Sequence, residues 1–237
     1  MDIKSYKKTF EYSYTFGIFP TIELIKSKPE KVIKVLVSSK YKTDSDADIF
    51  ELCKKYNIKT EVNDKVINRI SDKENNFVVG VFSKYESELN NNESHVVLVN
   101  PSNMGNVGTI IRTLTGFGLN NLAIISPGVD IFDPKVIRSS MGSLFRINFK
   151  YYENFNIYNT VFKNHKKYPF MLDGAISLKE IKHNRNELFS LIFGNEASGL
   201  DSSYSSVGQS ILIKHTDRID SLNLTIAAGI AMNHFYE

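Results

Sequence analysis

The sequence predicts an α/β protein in two parts: a small α/β unit over residues 1–90, and a parallel sheet covered by helices on both faces over residues 95–237. Three observations carry this. Short apolar runs rich in β-branched residues recur along the second part: HVVLVN (95–100), LAIIS (122–126), PFMLD (169–173), LFSLIFG (188–194) and SILIKH (210–215). Helical patterns separate them, at 105–118, 134–142, 155–166, 177–183 and 221–236. Strands that are apolar throughout and alternate with helices belong to a sheet buried on both faces. Between the two parts lies KYESELNNNES (84–94), polar, asparagine-rich and with little to bury, and residues 91–94 read as the linker.

In the first part, VIKVLVSS (32–39) has the β-branched content of a strand. DSDADIFELCKKYN (44–57) follows as a helix, with acids in its first turn and Ile49, Leu52, Cys53 and Tyr56 at helical spacing. IKTEV (58–62) is a short strand, NDKVINRIS (63–71) a short helix capped by Asn63 or Asp64, and NFVVGVFS (76–83) another strand.

Hydrophobic residues at 42% and charged residues at 23% exclude disordered and fibrous classes. The lone cysteine, Cys53, excludes a disulfide framework and a cysteine-rich metal site. His165, His183 and His215 lack mutual metal-ligand spacing, so no metal is expected. No apolar run approaches membrane-spanning length, and MDIKSYKKTF lacks the apolar core of a signal peptide, so a cytoplasmic protein without membrane contact is expected. A net charge of +3 decides nothing. Its distribution says more: residues 1–40 hold eight lysines against four acids. Such a stretch is either a phosphate-attracting face or a solvated lysine surface.

Three loops follow strands at their carboxyl ends: NMGNVG (103–108), GNEASG (194–199) and HTDRIDSLN (215–223). That edge of an open α/β sheet is where ligands bind, because helix N-termini and loop N–H groups point there. The first loop has no G-x-G-x-x-G spacing and no Gly-Lys-Ser/Thr ending, so neither a dinucleotide fingerprint nor a P-loop is present. It has instead N-x-G-x-I-x-R: Asn106, Gly108, Ile110 and Arg112. Arg112 stands among Ile110, Ile111 and Leu114 near the start of a helix, and a guanidinium so placed calls for an anionic or hydrogen-bond-accepting partner.

NPSNMGNVGTIIRTLTGFG (100–118), IRSSMGSLFRINF (137–149), LIFGNEASGL (191–200) and ILIKHTDRIDSLNLTIAAGIAM (211–232) resemble, in order and spacing, the motifs of the SpoU/TrmH family of RNA 2′-O-ribose methyltransferases, of the SPOUT superfamily. The resemblance covers residues 95–237. The first ninety residues are similar, less specifically, to the ribosomal-protein-like RNA-binding domain that many members carry. The resemblance implies a C-terminal trefoil knot, S-adenosylmethionine as cofactor, structured RNA as partner (ribosomal first, transfer RNA as the alternative) and a homodimer through the C-terminal domain. It implies a cofactor pocket of Gly194, Asn195, Gly199, Ile213, Ser221 and Leu222. Arg112 would activate the ribose hydroxyl, with Asn106, Glu196, Ser221 and Asn223 ordering the site. Arg112, Arg138 and Ser140 would meet RNA. A non-catalytic RNA-binding protein of the same fold stays open. One departure stands out: members usually follow the isoleucine matching Ile213 with proline and an apolar residue, whereas this chain has Lys214 and His215.

Overall fold

A computed structural model describes residues 3–42, 48–71, 76–184 and 186–236. Its contacts divide the chain into two units, residues 1–85 with 130–146, and residues 86–129 with 147–237.

In the first unit, β1 (Tyr12–Phe16), β2 (Val32–Val37), β3 (Thr60–Val62) and β4 (Val78–Ser83) form a mixed sheet in the order β1-β4-β2-β3. β4 pairs antiparallel with β1 and β2, and β3 pairs parallel with β2. One face carries Tyr14, Leu36, Val79 and Val81 against Ile67 and Ile70 of α3 (Asp64–Ile70). The other buries Val35, Val37 and Val78 against Ile22 and Ile25 of α1 (Ile18–Ser27) and Ile49 and Cys53 of α2 (Ile49–Lys55). This alternation along β2 and β4 is the period-two pattern that strands require. Asn63 caps α3 by accepting from Val66 N at 3.0 Å. Residues 44–47 of the expected second helix lie outside the described residues.

The segment 130–146, assigned by sequence to the second part, packs in the first unit. It carries α5 (Pro134–Ser139), with Asp133 as cap, and the Phe132 carbonyl accepts from Ser13 Oγ at 2.6 Å. Gly142 has φ +83°, and a Cβ there would lie 2.9 Å from Pro20 Cα, so this turn needs glycine. Ser140 corrects an expectation: it is fully buried and its hydroxyl donates to the Ile137 carbonyl at 2.9 Å, which leaves nothing to offer RNA. The Arg138 guanidinium lies 5.4 Å from the centre of the Phe16 ring.

The second unit is a five-stranded, all-parallel sheet in the order β7-β6-β5-β10-β8. Its strands are β5 (His95–Val99), β6 (Asn121–Ile125), β7 (Asn148–Tyr152), β8 (Lys166–Pro169) and β10 (Phe189–Phe193). A short parallel pair, β9 (Ile176–Ser177) with β11 (Ile211–Leu212), stands apart. The helices are α4 (Met104–Gly116), α6 (Phe155–Val161) and α7 (Leu224–Tyr236), and α4 packs against α7. Phe155 and Tyr158 of α6 fill one core with Val97, Ala123 and Ile192.

Two expectations shift here. β7 was not anticipated, and the strand expected at 169–173 lies earlier, at Lys166–Pro169. The stretch 86–94 is no loose linker either. Leu89 is buried in the second unit's core, Asn90 N donates to Asn121 Oδ1 at 2.8 Å, and Ser94 Oγ accepts from Phe189 N at 3.1 Å.

Candidate functional site

Chain order runs β5 to β6 to β7 on one side, while β10 and β8 lie on the other side of β5. The connections leaving β5 and β10 therefore diverge, and the crevice between their carboxyl ends is a switch point of the sheet. Asn100 ends β5 with φ +52°, a left-handed conformation that asparagine tolerates better than most residues. Its carbonyl accepts from Asn195 Nδ2 at 2.8 Å, tying the β10 loop to the β5 loop.

Glu196 makes the second tie. Its carboxylate accepts from the Ser102 amide (3.1 Å), the Ser102 hydroxyl (2.8 Å), the Asn103 amide (3.1 Å) and Asn106 Nδ2 (3.3 Å). Burial raises its pKa, but the hydrogen bonds from its own amide and from Ser102 and Asn103 outweigh burial and hold it below the usual carboxylate value. The start of α4 is doubly organised, because Asn103 caps it by accepting from Asn106 N at 3.0 Å. Arg112 lies further along α4, exposed, with no hydrogen bond or ion pair among the described residues.

A cavity of about 250 Å³ opens beside these loops. Three separated segments line it: 170–173 after β8, 193–200 around the β10 loop, and 211–227 from β11 into α7. Its apolar wall includes Phe170, Phe193, Ile211, Ile213 and Leu222; its polar rim includes Asp173, Asn195, Glu196, Ser198, His215 and Ser221. The backbones approach so closely that a Cβ on Gly194 would sit 2.1 Å from the Gly199 carbonyl carbon. Asn223, exposed just beyond, begins α7 by accepting from Thr225 N at 2.8 Å.

A model of the SpoU rRNA methylase family matches residues 93–233, and a model for RNA 2′-O ribose methyltransferase substrate binding matches residues 14–88. The chain belongs to the SpoU rRNA methylase family. Among curated SpoU relatives, the 23S rRNA (guanosine(2553)-2′-O)-methyltransferase RlmP of Bacillus subtilis is 30% identical over 142 residues, 55% of this chain and 52% of that protein. The chain thus matches about half the length of such relatives. An AdoMet-bound rRNA methyltransferase of Sinorhizobium meliloti superposes with a TM-score of 0.81 at 25% identity, covering 95% of this chain and 87% of that one. A solved structure described for methylation of C/U34 on tRNA gives a TM-score of 0.57 at 25% identity, covering 62% of this chain and 96% of its own.

Six positions that the SpoU resemblance assigned to a pocket, Gly194, Asn195, Gly199, Ile213, Ser221 and Leu222, all line the one cavity, together with Glu196. Asn106 meets Glu196 directly, while Arg112 and Asn223 lie outside the lining. Arg138 belongs to the other unit. The arm 170–173 was missed, because PFMLD reads as a strand; the glycine that follows it was the available signal. A Cβ on Gly174 would lie 2.4 Å from the Ile211 carbonyl carbon, so two stretches of backbone run in close contact there.

Proposed function

We propose that the chain transfers a methyl group from S-adenosylmethionine to a ribose 2′-hydroxyl of structured RNA, with ribosomal RNA as the substrate class. The observation that carries this reading is the union of three loops at one sheet edge: a half-apolar cavity, a carboxylate clamp on the start of α4, and an unpaired arginine on that same helix. The cavity fits the cofactor. Its apolar wall suits an adenine ring, and the side-chain-free approach of Gly194 to Gly199 brings main-chain donors and acceptors within reach of a ligand.

When bound, the cofactor would supply an electrophilic methyl on a sulfonium, which leaves as the neutral thioether when the ribose oxygen takes the methyl and the hydroxyl proton passes to RNA phosphate or water. What the chain contributes is placement. Arg112 acts by clamping RNA phosphate and stabilising charge on the attacking oxygen, the roles that a planar guanidinium with several donors suits. Glu196 fixes the β10 loop against α4, and with it the distance between cavity and Arg112. Asn106 completes that clamp, Ser221 contributes to the cavity rim, and Asn223 holds the start of α7.

The close approach of the Gly174 and Ile211 backbones is compatible with a trefoil knot through the cavity segments, and the family resemblance is what supports the knot. Ile226 and Ile230 of α7, 54% and 41% exposed, support a homodimer through the second unit. The match of residues 14–88 to a substrate-binding model supports RNA selection by the first unit, in the cytoplasm where ribosomes are found. Among the described residues no helix is long and apolar enough to cross a membrane. The ribosomal names of the relatives favour ribosomal RNA; the tRNA-acting structure keeps transfer RNA as the second reading.

The test incubates purified protein and methyl-labelled cofactor with unmodified ribosomal and transfer RNA, then maps ribose methylation. Label at a ribosomal ribose is the expected result. Label in transfer RNA alone transfers the reading to that substrate, and RNA binding without any label overturns catalysis.

A further inference from the structure

Two side chains lining the cavity carry carboxyl groups, Asp173 and Glu196, and one, His215, can carry a positive charge. Glu196 spends its hydrogen bonds on Ser102, Asn103 and Asn106 but keeps its negative charge. S-adenosylmethionine brings a sulfonium, an ammonium and a single anionic group, its carboxylate. That carboxylate would enter a cavity whose fixed charges are otherwise acidic, and like charges at short range oppose binding. Lys214, the neighbouring cation, does not line the cavity; it is exposed and its Nζ lies 3.8 Å from Glu180 Oε1. His215 Nδ1 lies 3.0 Å from the Thr216 carbonyl oxygen, which only accepts, so Nδ1 donates there and Nε2 is left without a partner among the described residues.

We propose that His215 is the carboxylate-recognising residue of the cofactor site: with Nδ1–H on the Thr216 carbonyl, its imidazolium form donates through Nε2–H to the carboxylate of S-adenosylmethionine. This rests on the cavity being the cofactor site. His215 thereby selects cofactors that retain the full amino acid, at a position where the resemblance anticipated an apolar residue.

The test is calorimetric and needs no RNA. Wild type, His215→Gln and His215→Lys are titrated with S-adenosylmethionine, with its decarboxylated analogue, which differs only in lacking the carboxylate, and with 5′-methylthioadenosine, which lacks the amino acid. Wild type is expected to prefer S-adenosylmethionine over the decarboxylated analogue by about 5- to 20-fold, the range of a charge-assisted hydrogen bond. His215→Gln removes most of that preference and leaves 5′-methylthioadenosine affinity within about twofold; His215→Lys, which keeps a cation, retains part of the preference. Equal weakening of all three ligands by His215→Gln, or an unchanged preference, overturns the assignment. If wild type binds none of the three, the cavity is not a cofactor site, and the failure lies with the proposed function itself. Unfolding midpoints of the variants within about 2 °C of wild type exclude a folding defect.

Discussion

At the amino edge of the five-stranded sheet one register row runs Asn148, Asn121, His95, Ser190 and Lys167 across β7, β6, β5, β10 and β8. At the carboxyl edge of the same sheet stand Asn100, Asn195, Glu196 and, along α4, Arg112. Both edges are polar, yet they differ in what remains unspent. In the amino row Asn121, His95 and Ser190 are fully buried and bonded inward. His95 Nε2 donates to the Asn90 carbonyl at 2.9 Å, its Nδ1 lies 3.0 Å from the Tyr158 hydroxyl, and that hydroxyl lies 2.7 Å from Ser190 Oγ. Lys167 donates to the Phe162 carbonyl and, at 2.9 Å, to that of His165. At the carboxyl edge, Asn195 and Glu196 bind other loops, while Arg112 and His215 Nε2 keep bonding capacity facing outward. Polarity at a strand end therefore does not mark a site; residual donors beside a cavity do.

The contrast breaks most sharply at Gly194. Gly194→Ala forces a Cβ into the Gly199 backbone, and cofactor affinity is expected to fall by about two orders of magnitude, measured by calorimetry. Near-normal binding would show the close approach to be dispensable. Next comes Arg112→Ala, expected to lower methyl transfer by about 10²- to 10³-fold while changing cofactor affinity less than about threefold. A large loss of cofactor affinity with normal saturated turnover would instead make Arg112 part of the cofactor pocket. Glu196→Gln leaves one acceptor where two carboxylate oxygens held four donors, and kcat/KM should drop by about tenfold through loosened loops.

The amino row predicts a different signature, one of stability alone. Burial, the larger cause, holds His95 and His165 at about 4, with the Lys167 charge adding to it. In the unfolded chain a histidine takes up its proton near pH 6.5. Their contribution is thus fully present above about pH 6.5 and is lost progressively as pH falls toward 4, because the unfolded chain binds more protons across that window. Unfolding free energies from urea titrations at pH 7 and pH 5 should differ by about a few kcal/mol, and the His95→Gln/His165→Gln double variant should flatten the slope. Burial also holds Lys167 down to about 8, so a smaller rise in stability follows above that pH. The smallest effect is expected from Ile230→Glu, which should leave cofactor binding intact and shift the protein toward monomer in light scattering.

Much of the carboxyl edge was legible because its residues cluster in short motifs whose chemistry survives without coordinates: Asn106 to Arg112 at a helix start, glycines beside Glu196, and Ser221 to Asn223 before α7. The amino row was not legible. His95, Ser190 and Lys167 lie far apart in sequence and meet only through strand register, so His165 read as a bystander when it belongs to this buried group. β7 was hidden because NFKYY sets Asn148 and Lys150 around Phe149 at a sheet edge and so lacks an apolar run, and β8 because two lysines open it, one of them buried. The segment 130–146 reads as the next helix in an alternating pattern; nothing in its periodicity says which unit its apolar face will fill.

The placement of β10 has a bearing on how the molecule is made. β5 and β8 are both complete by residue 169, and β5 can already pair with β6, yet the flank that each turns toward β10 stays open until Phe189–Phe193 has left the ribosome and slid between them. During that interval the growing polypeptide holds two open β-strand flanks, the kind of surface that recruits stray strands from other chains. A polypeptide paused before residue 189 would prolong that exposure.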